Sequence, residues 1–270
     1  MMRQATLITP YFLATPRTAL ADLARANARV SAAVPHAVSD IDLAPGPDKA
    51  GIQQAVAPVH RAIAAFVADT VRSGTLPVSL AGDCCAAIPM LAGLQTAGLD
   101  PVLVWLDAHG DFNTWETSPS GFLGGMPLAM MAGRGDMTMM QSAGAQILSE
   151  ADIFLCDGRD LDPEEAEALE ESEVRLFADP EDVLAALPRD RPIYVHFDTD
   201  IISSEDVPAQ SYPVPGGPSA ADMKTFLVKL AEHGTIAGLS LSSWNPDLDT
   251  DGNSARLCLD CLDGFLDALR

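Results

Sequence analysis

Six apolar, strand-like runs recur along the chain, and most of them end in a cluster of polar residues. They are ATLITPYF (5–12), LPVSLAG (76–82), PVLVWLDAH (101–109), ADIFLCDG (151–158), PIYVHFDTD (192–200) and IAGLSLSSW (236–244). Segments with helical spacing lie between several of them, at 51–74, 162–172 and 219–234. Strands alternating with helices predict a three-layer α/β/α architecture with a mostly parallel central sheet. There is no internal repeat. The Pro/Gly-rich stretches at 40–51 and 211–219 read as loops rather than linkers, so residues 1–270 are expected to form one domain.

Composition narrows what such a domain can bind. Hydrophobic residues make up 48% of the 270, enough for a large core. No run approaches the about 18 apolar residues of a membrane span. The first residues contain one Arg but no long apolar core or cleavage site, so no signal peptide is read. The net charge of −22, from 16 basic and 38 acidic residues, opposes binding to nucleic acid and to anionic membranes. It fits an enzyme or a cation binder. The five cysteines (Cys84, Cys85, Cys156, Cys258, Cys261) are odd in number. Without an export signal this suggests free thiols and a cytoplasmic protein. Cys258 and Cys261 have CxxC spacing, but they sit in an amphipathic helical pattern without a second CxxC. They read as packed core thiols.

In open α/β sheets, ligands collect beyond the carboxyl ends of the strands. The polar clusters fall there: AGDCC (81–85), DAHGD (107–111), DTD (198–200) and SSWNP (242–246). On an extended strand Asp107, His109 and Asp111 share a face, and Asp198 and Asp200 repeat the alternation. Crowded carboxylates are costly unless a cation sits among them. Four carboxylates and one imidazole suit Mn²⁺, Mg²⁺ or Fe²⁺ better than structural zinc. Bridging carboxylates can hold two ions about 3.5–4 Å apart and activate a shared water. DAHGD alone also reads as a solvated strand end; the second paired motif favours a metal centre.

Together, DAHGDFNT (107–114), GRDLDPEE (158–165), FDTD (197–200) and WNPDLD (244–249) resemble the ureohydrolase family, the arginase and agmatinase group, over roughly residues 75–250. The resemblance implies an α/β/α catalytic domain, two Mn²⁺ ions, a small-molecule guanidino substrate cleaved by metal-bound hydroxide, and often a homo-oligomer. By motif, Asp107 and Asp198 resemble the bridging carboxylates. Asp111 resembles a terminal ligand of the first ion, and His109 and Asp200 the remaining ligands of the second. Asp111 and Asp198 are also the candidates for proton relay.

Four positions depart from the family pattern, one of them Cys85 where a serine is expected. Cys84 stands where the first ion's histidine is expected, and a soft thiolate suits hard Mn²⁺ poorly, so that ion is expected to be weakly held. Gly124 replaces a proton-shuttling histidine, and Ser243 a glutamate that pairs with guanidinium. The amino-acid end matches: Asn113 and Ser120 at the α-carboxylate, Asp162 and its neighbour Glu165 at the α-amino group. The segment 162–171 reads equally as a capped acidic helix start. A less basic N-hydroxylated guanidine would reconcile these changes, with Gly124 and Ser243 leaving room for its oxygen. Cysteine at the metal histidine resembles the hydroxyarginine-hydrolysing branch of the family, linked to D-cycloserine (antibiotic) biosynthesis. That branch implies Nω-hydroxy-L-arginine as substrate and L-ornithine and hydroxyurea as products. The alternatives are an arginase- or agmatinase-like hydrolase, a zinc hydrolase using Cys84, or a catalytically silent metal-binding homologue. His196 shares the strand face of Asp198 and reads as a core histidine or a neighbour of the ligands. His36, His60 and His233 have no motif context.

Overall fold

The computed structural model describes residues 3–20 and 49–269. His36 and residues 40–48 of the first Pro/Gly loop lie outside them. The described chain begins with β1 (Gln4–Thr9) and a small hairpin of β2 (Tyr11–Phe12) and β3 (Thr15–Pro16). Then come α1 (Lys49–Arg72), β4 (Leu76–Ala81), α2 (Ala87–Thr96) and β5 (Val102–His109). Two short helices follow, α3 (Pro127–Met131) and α4 (Thr138–Ala143), then β6 (Ile153–Asp160), α5 (Pro163–Glu170), β7 (Arg175–Phe177) and α6 (Pro180–Ala186). The chain ends with β8 (Ile193–Asp198), α7 (Ala220–His233), β9 (Ile236–Ser242) and α8 (Asn253–Ala268).

Seven strands form one parallel sheet in the order β1-β4-β9-β8-β5-β6-β7. Successive side chains of each strand enter different apolar layers. Val104, Leu106, Val195, Phe197, Leu239 and Leu241 pack with residues of α7 and α8, including Phe226, Leu230 and Phe265. Leu103, Trp105 and Tyr194 pack with α1 and α2 through residues such as Ile63, Val67 and Leu91. Covering both faces is what makes the strands near-continuous apolar runs. The expected three-layer α/β/α fold is the one observed.

The six expected strands are all present, most of them shortened, while β6 keeps its length two residues later, at Ile153–Asp160. The first run breaks at Pro10, which lies between β1 and β2 and has no N–H to give to a ladder. Helix α2 had no expected counterpart. All of residues 87–94 are buried, so it has no polar stripe and no helical period to read. All five cysteines are free. Cys258 and Cys261 are buried in α8, and the Cys261 thiol donates to the Ala220 carbonyl at 3.4 Å. His60 is buried in α1, while half-buried His233 places Nε2 3.2 Å from the Leu187 carbonyl oxygen. Among the described residues no helix is long and apolar enough to cross a membrane.

The strand order sets up the site. β4, β9, β8 and β5 are consecutive neighbours, so the four polar clusters at their carboxyl ends converge on one edge of the sheet.

Close approach of α1 and α2 depends on Gly93. A Cβ there would lie 2.4 Å from Val67 Cβ and 2.6 Å from the Ala64 carbonyl oxygen. Helix propensity favours Ala over Gly by about 1 kcal/mol. At this position we expect the opposite sign: Gly93→Ala should destabilise the chain by about 1–3 kcal/mol through overpacking, read by denaturant unfolding. A stabilised variant would show that the helices can separate without loss.

Candidate metal centre

The edge of the sheet opens into a cavity of about 320 Å³ whose wall includes Cys84, His109, Asp111, Asp198, Asp200 and Ser243. Cys84 opens a short turn directly after β4. Asp83 fixes that turn by accepting N–H bonds from Cys85 at 3.0 Å and Leu13 at 2.7 Å. Asp107 and His109 end β5, and Asp198 ends β8.

The carboxylates are held by backbone and by each other's neighbours. Asp107 accepts from Trp105 Nε1 at 3.0 Å and from the His109 N–H at 2.7 Å. Asp198 accepts from the Asp200 N–H at 2.9 Å, from the Cys84 thiol at 2.7 Å and from the Ser243 hydroxyl. Asp200 accepts from the Ala108 N–H at 3.3 Å and lies 3.2 Å from His109 Nδ1. Asp111 follows the strand with φ of +47°, and its buried Oδ2 has no hydrogen-bond partner.

Two sets of potential ligand atoms emerge, each with all atoms within 4.8 Å of one another: Cys84, Asp107, His196 and Asp198, and Asp107, His109 and Asp200. Asp107 belongs to both sets, whereas Asp198 belongs to the first alone. Asp111 belongs to neither set, although it lines the same cavity. His196, expected to be a core histidine or a neighbour of the ligands, enters the first set.

The charges need a cation. Burial, reinforced by the charge of Asp200, pushes Asp198 up to about 8. Burial and the charge of Asp107 push Asp200 up to about 6. Burial also raises Asp107 and raises Asp111 well above the ordinary carboxylate range, with neighbouring carboxylates adding to both. Burial works against the His109 imidazolium, but hydrogen bonds and charges from Asp107 and Asp200 outweigh it and push His109 up to about 12. The Cys84 thiol is held neutral by burial first and then by Asp198, Asp111 and Asp107. Four buried carboxylates, a free Asp111 oxygen and two donor sets sharing Asp107 fit a pair of divalent cations.

The substrate-side residues divide into two groups. Asn113 donates to Asp162 at 2.9 Å, and both face the cavity. Ser120 also faces it, accepting from the Phe122 N–H at 3.2 Å. Glu165 touches the wall, but both its oxygens are engaged, by the Phe112 N–H at 2.8 Å and the Asp162 N–H at 3.1 Å. That clamp holds the loop after β5 against α5, with Glu165 still in the cavity wall. Gly124 borders the cavity, and a Cβ there would sit 2.4 Å from the Phe122 ring. Ser243 does border the cavity, at φ of +69°.

Sequence reasoning missed an aromatic mouth and two braces. Phe122 stacks on Phe12 at 5.8 Å and meets Tyr212 at 5.1 Å. These rings come from the β2–β3 hairpin and two distant loops, and they left no local signal. Arg159 donates to the carbonyls of Asp200 at 3.1 Å and Ile201 at 3.2 Å, fixing the turn that presents Asp200. Trp105, two residues before Asp107 on the same strand face, was findable by the period-two rule.

A family model for arginases matches residues 16–265. The chain belongs to the arginase family. An arginase from Bacillus caldovelox is 31% identical over 219 residues, covering 76% of this chain and 73% of that protein. An arginase from Bacillus subtilis is 28% identical over 216 residues, with the same coverage of 76% and 73%. The native structure of the Bacillus caldovelox arginase superposes with a TM-score of 0.85 at 26% identity, over 98% of each chain. A formimidoylglutamase from Bacillus subtilis shares the fold, with a TM-score of 0.73 at 16% identity over 99% of this chain and 87% of that one. This arginase-family chain is thus a hydrolase of the guanidino and amidino class.

The crowding makes stability depend on pH. Without cations, Asp107, Asp111, Asp198 and Asp200 keep protons in the folded state that an unfolded carboxyl has released by about pH 5. Their raised values stabilise the fold at low pH, and that contribution is lost as pH rises toward 8. His109, raised from 6.5, adds a loss of the same sign above that value. Chelator-treated protein should therefore melt at least roughly 4 °C lower at pH 8 than at pH 5. Saturating Mn²⁺ should raise the melting temperature more at pH 8 than at pH 5, because the ion displaces protons. Melting curves independent of pH and metal would mean that these groups do not share one buried site.

Proposed function

We propose that this arginase-family chain hydrolyses Nω-hydroxy-L-arginine to L-ornithine and hydroxyurea, using two divalent ions of which Mn²⁺ is the expected kind. The observation that carries this reading is the pair Cys84 and Ser243. Ser243 contributes a hydroxyl to the cavity, bonded to Asp198 and 3.3 Å from Cys84 Sγ, and no carboxylate to balance a permanent positive charge. Oxygen on the guanidino nitrogen withdraws electrons and lowers basicity, so the countercharge is no longer needed. Asn113, Ser120 and Asp162 supply polar groups for a free amino-acid end, with Glu165 holding their loop.

Bound divalent cations supply Lewis acidity and a water of lowered pKa. The chain's own groups do the rest. Asp107, Asp198, Asp200, His109 and Cys84 offer the donors. Asp111 Oδ2, free of other partners, is the acceptor for a proton from the attacking water. Water oxygen bonds to the guanidino carbon, the bond from that carbon to Nδ breaks, and Nδ takes a proton to leave as the ornithine amine. Phe12, Phe122 and Tyr212 narrow the mouth and limit bulk water around the reacting carbon.

The test is direct competition. Mn²⁺-loaded protein is given Nω-hydroxy-L-arginine, L-arginine or agmatine, and ornithine, putrescine, urea and hydroxyurea are measured. We expect kcat/KM for the hydroxylated substrate to exceed that for arginine at least about tenfold, a barrier difference of about 1.4 kcal/mol. Faster cleavage of arginine would overturn the assignment, and no turnover of any of the three would favour a silent homologue. Asp111→Asn should lower kcat about 100-fold or more with bound metal retained.

A further inference from the structure

The first ligand set contains an imidazole that lies below the cavity floor. We infer that His196 is a metal ligand, and that Cys84, Asp107, His196 and Asp198 form a deep site for a borderline-soft cation of the zinc or cobalt class. The inference rests on the reading of this edge as a metal centre, and it assigns one of the two ions a different chemistry.

Register puts His196 one row beneath the carboxylates. It pairs with Trp105 of β5 and Ser240 of β9, while Asp198 pairs with Ser242 in the row above. Its side chain is fully buried, and its ring lies against the Trp105 ring with centroids 3.8 Å apart and planes 28° apart. A ring so stacked has little freedom to turn. One of its nitrogens lies within 4.8 Å of ligand atoms of Cys84, Asp107 and Asp198. Bonds of about 2.0–2.3 Å to one ion are compatible with such separations.

Hydrogen bonding selects which nitrogen is free. Tyr194 Oη donates to the Ala87 carbonyl at 3.3 Å, and a carbonyl can only accept. The hydroxyl contact between Tyr194 and Ser240 at 2.8 Å then carries the Ser240 proton. Ser240 Oγ is left to accept from His196 Nδ1 at 2.8 Å. Nε2 is therefore the bare nitrogen. It faces Ser242 Oγ at 3.4 Å, and that oxygen is 3.3 Å from Cys84 Sγ. A ring fixed through one nitrogen, in a side chain with a nitrogen within 4.8 Å of a thiol and two carboxylates, is how a metal-binding imidazole is held.

The two sets differ in softness. A thiolate and an imidazole with carboxylates favour zinc or cobalt over manganese, whereas Asp107, His109 and Asp200 are mostly oxygen. The first site is then selective for its cation rather than weak, and the pair is suited to unlike ions.

The full-length protein, stripped by chelator and reloaded with two equivalents of Zn²⁺, tests this by X-ray absorption at the zinc edge. We expect one sulfur and two imidazoles per two zinc ions; one sulfur with a single imidazole would overturn the inference and leave the metal centre standing. In His196→Gln we expect zinc at the sulfur-containing site to be held at least about tenfold more weakly. The sulfur-to-cobalt absorption band of the Co²⁺-loaded form should also shift, with the second ion retained. Unchanged stoichiometry and band would again overturn it. Failure of the wild-type protein to bind Zn²⁺, Co²⁺ or Mn²⁺ at all would remove both this inference and the metal centre beneath it.

Discussion

Mutual repulsion among four buried carboxylates is the constraint around which this molecule is arranged. A parallel sheet sends the carboxyl ends of its strands to one side. Neighbouring strands lie about 4.8 Å apart, so acidic residues at equal height on β5 and β8 are forced together. The chain offsets their charge with what it has. His109 is pushed up to about 12 between Asp107 and Asp200, and the Cys84 thiol and Ser243 hydroxyl both donate to Asp198. These are partial measures: Asp111 Oδ2 is left with no partner. The apolar layers on the two faces of the sheet hold the edge in place regardless, which is why a costly cluster can persist in a stable fold.

Much of this was legible from period and position, and the failures have physical causes. The alternation in residues 107–111 placed Asp107 and His109 correctly, because both belong to β5. Asp111 lies beyond the strand end in a left-handed backbone conformation, and it still lines the same cavity. Asp200 also lies past its strand, yet it returns to the cluster because its own N–H bonds to Asp198 and Arg159 grips its carbonyl. Rows of paired residues were beyond reach, since strand order is not written locally. Without knowing that β8 lies between β5 and β9, nothing brings Trp105, His196 and Ser240 into one line. Glu165 was ambiguous for a good reason: it is a helix-start acid and a cavity neighbour at once.

The cavity has an order of depth that connects these parts. Fully buried His196 lies behind the donors that line the cavity, and the rings of Phe12, Phe122 and Tyr212 complete its wall. Arg17 lies over the Phe12 ring at 4.2 Å, and its guanidinium reaches Ser211 at 3.4 Å, tying the hairpin to the loop that carries Tyr212. The mouth is therefore built from segments far apart in the chain, each with its own anchor. Selectivity for a small flat group can be tuned there without disturbing the strands that hold the donors.

Ser243 joins the floor to the wall. Its backbone adopts φ of +69°, a region that favours glycine and costs other residues of order 1–3 kcal/mol. Glycine would relieve that strain but would remove the hydroxyl that donates to Asp198 and lies 3.3 Å from Cys84. A residue kept in an unfavourable backbone state, where its side chain meets both a thiol and a carboxylate, marks the hydroxyl as the feature that outweighs the strain. Asp111 repeats the pattern at φ of +47°, again beside the carboxylates. Of the three described non-glycine residues with positive φ, Leu13, Asp111 and Ser243, the last two sit where the chain leaves the strands to line the cavity.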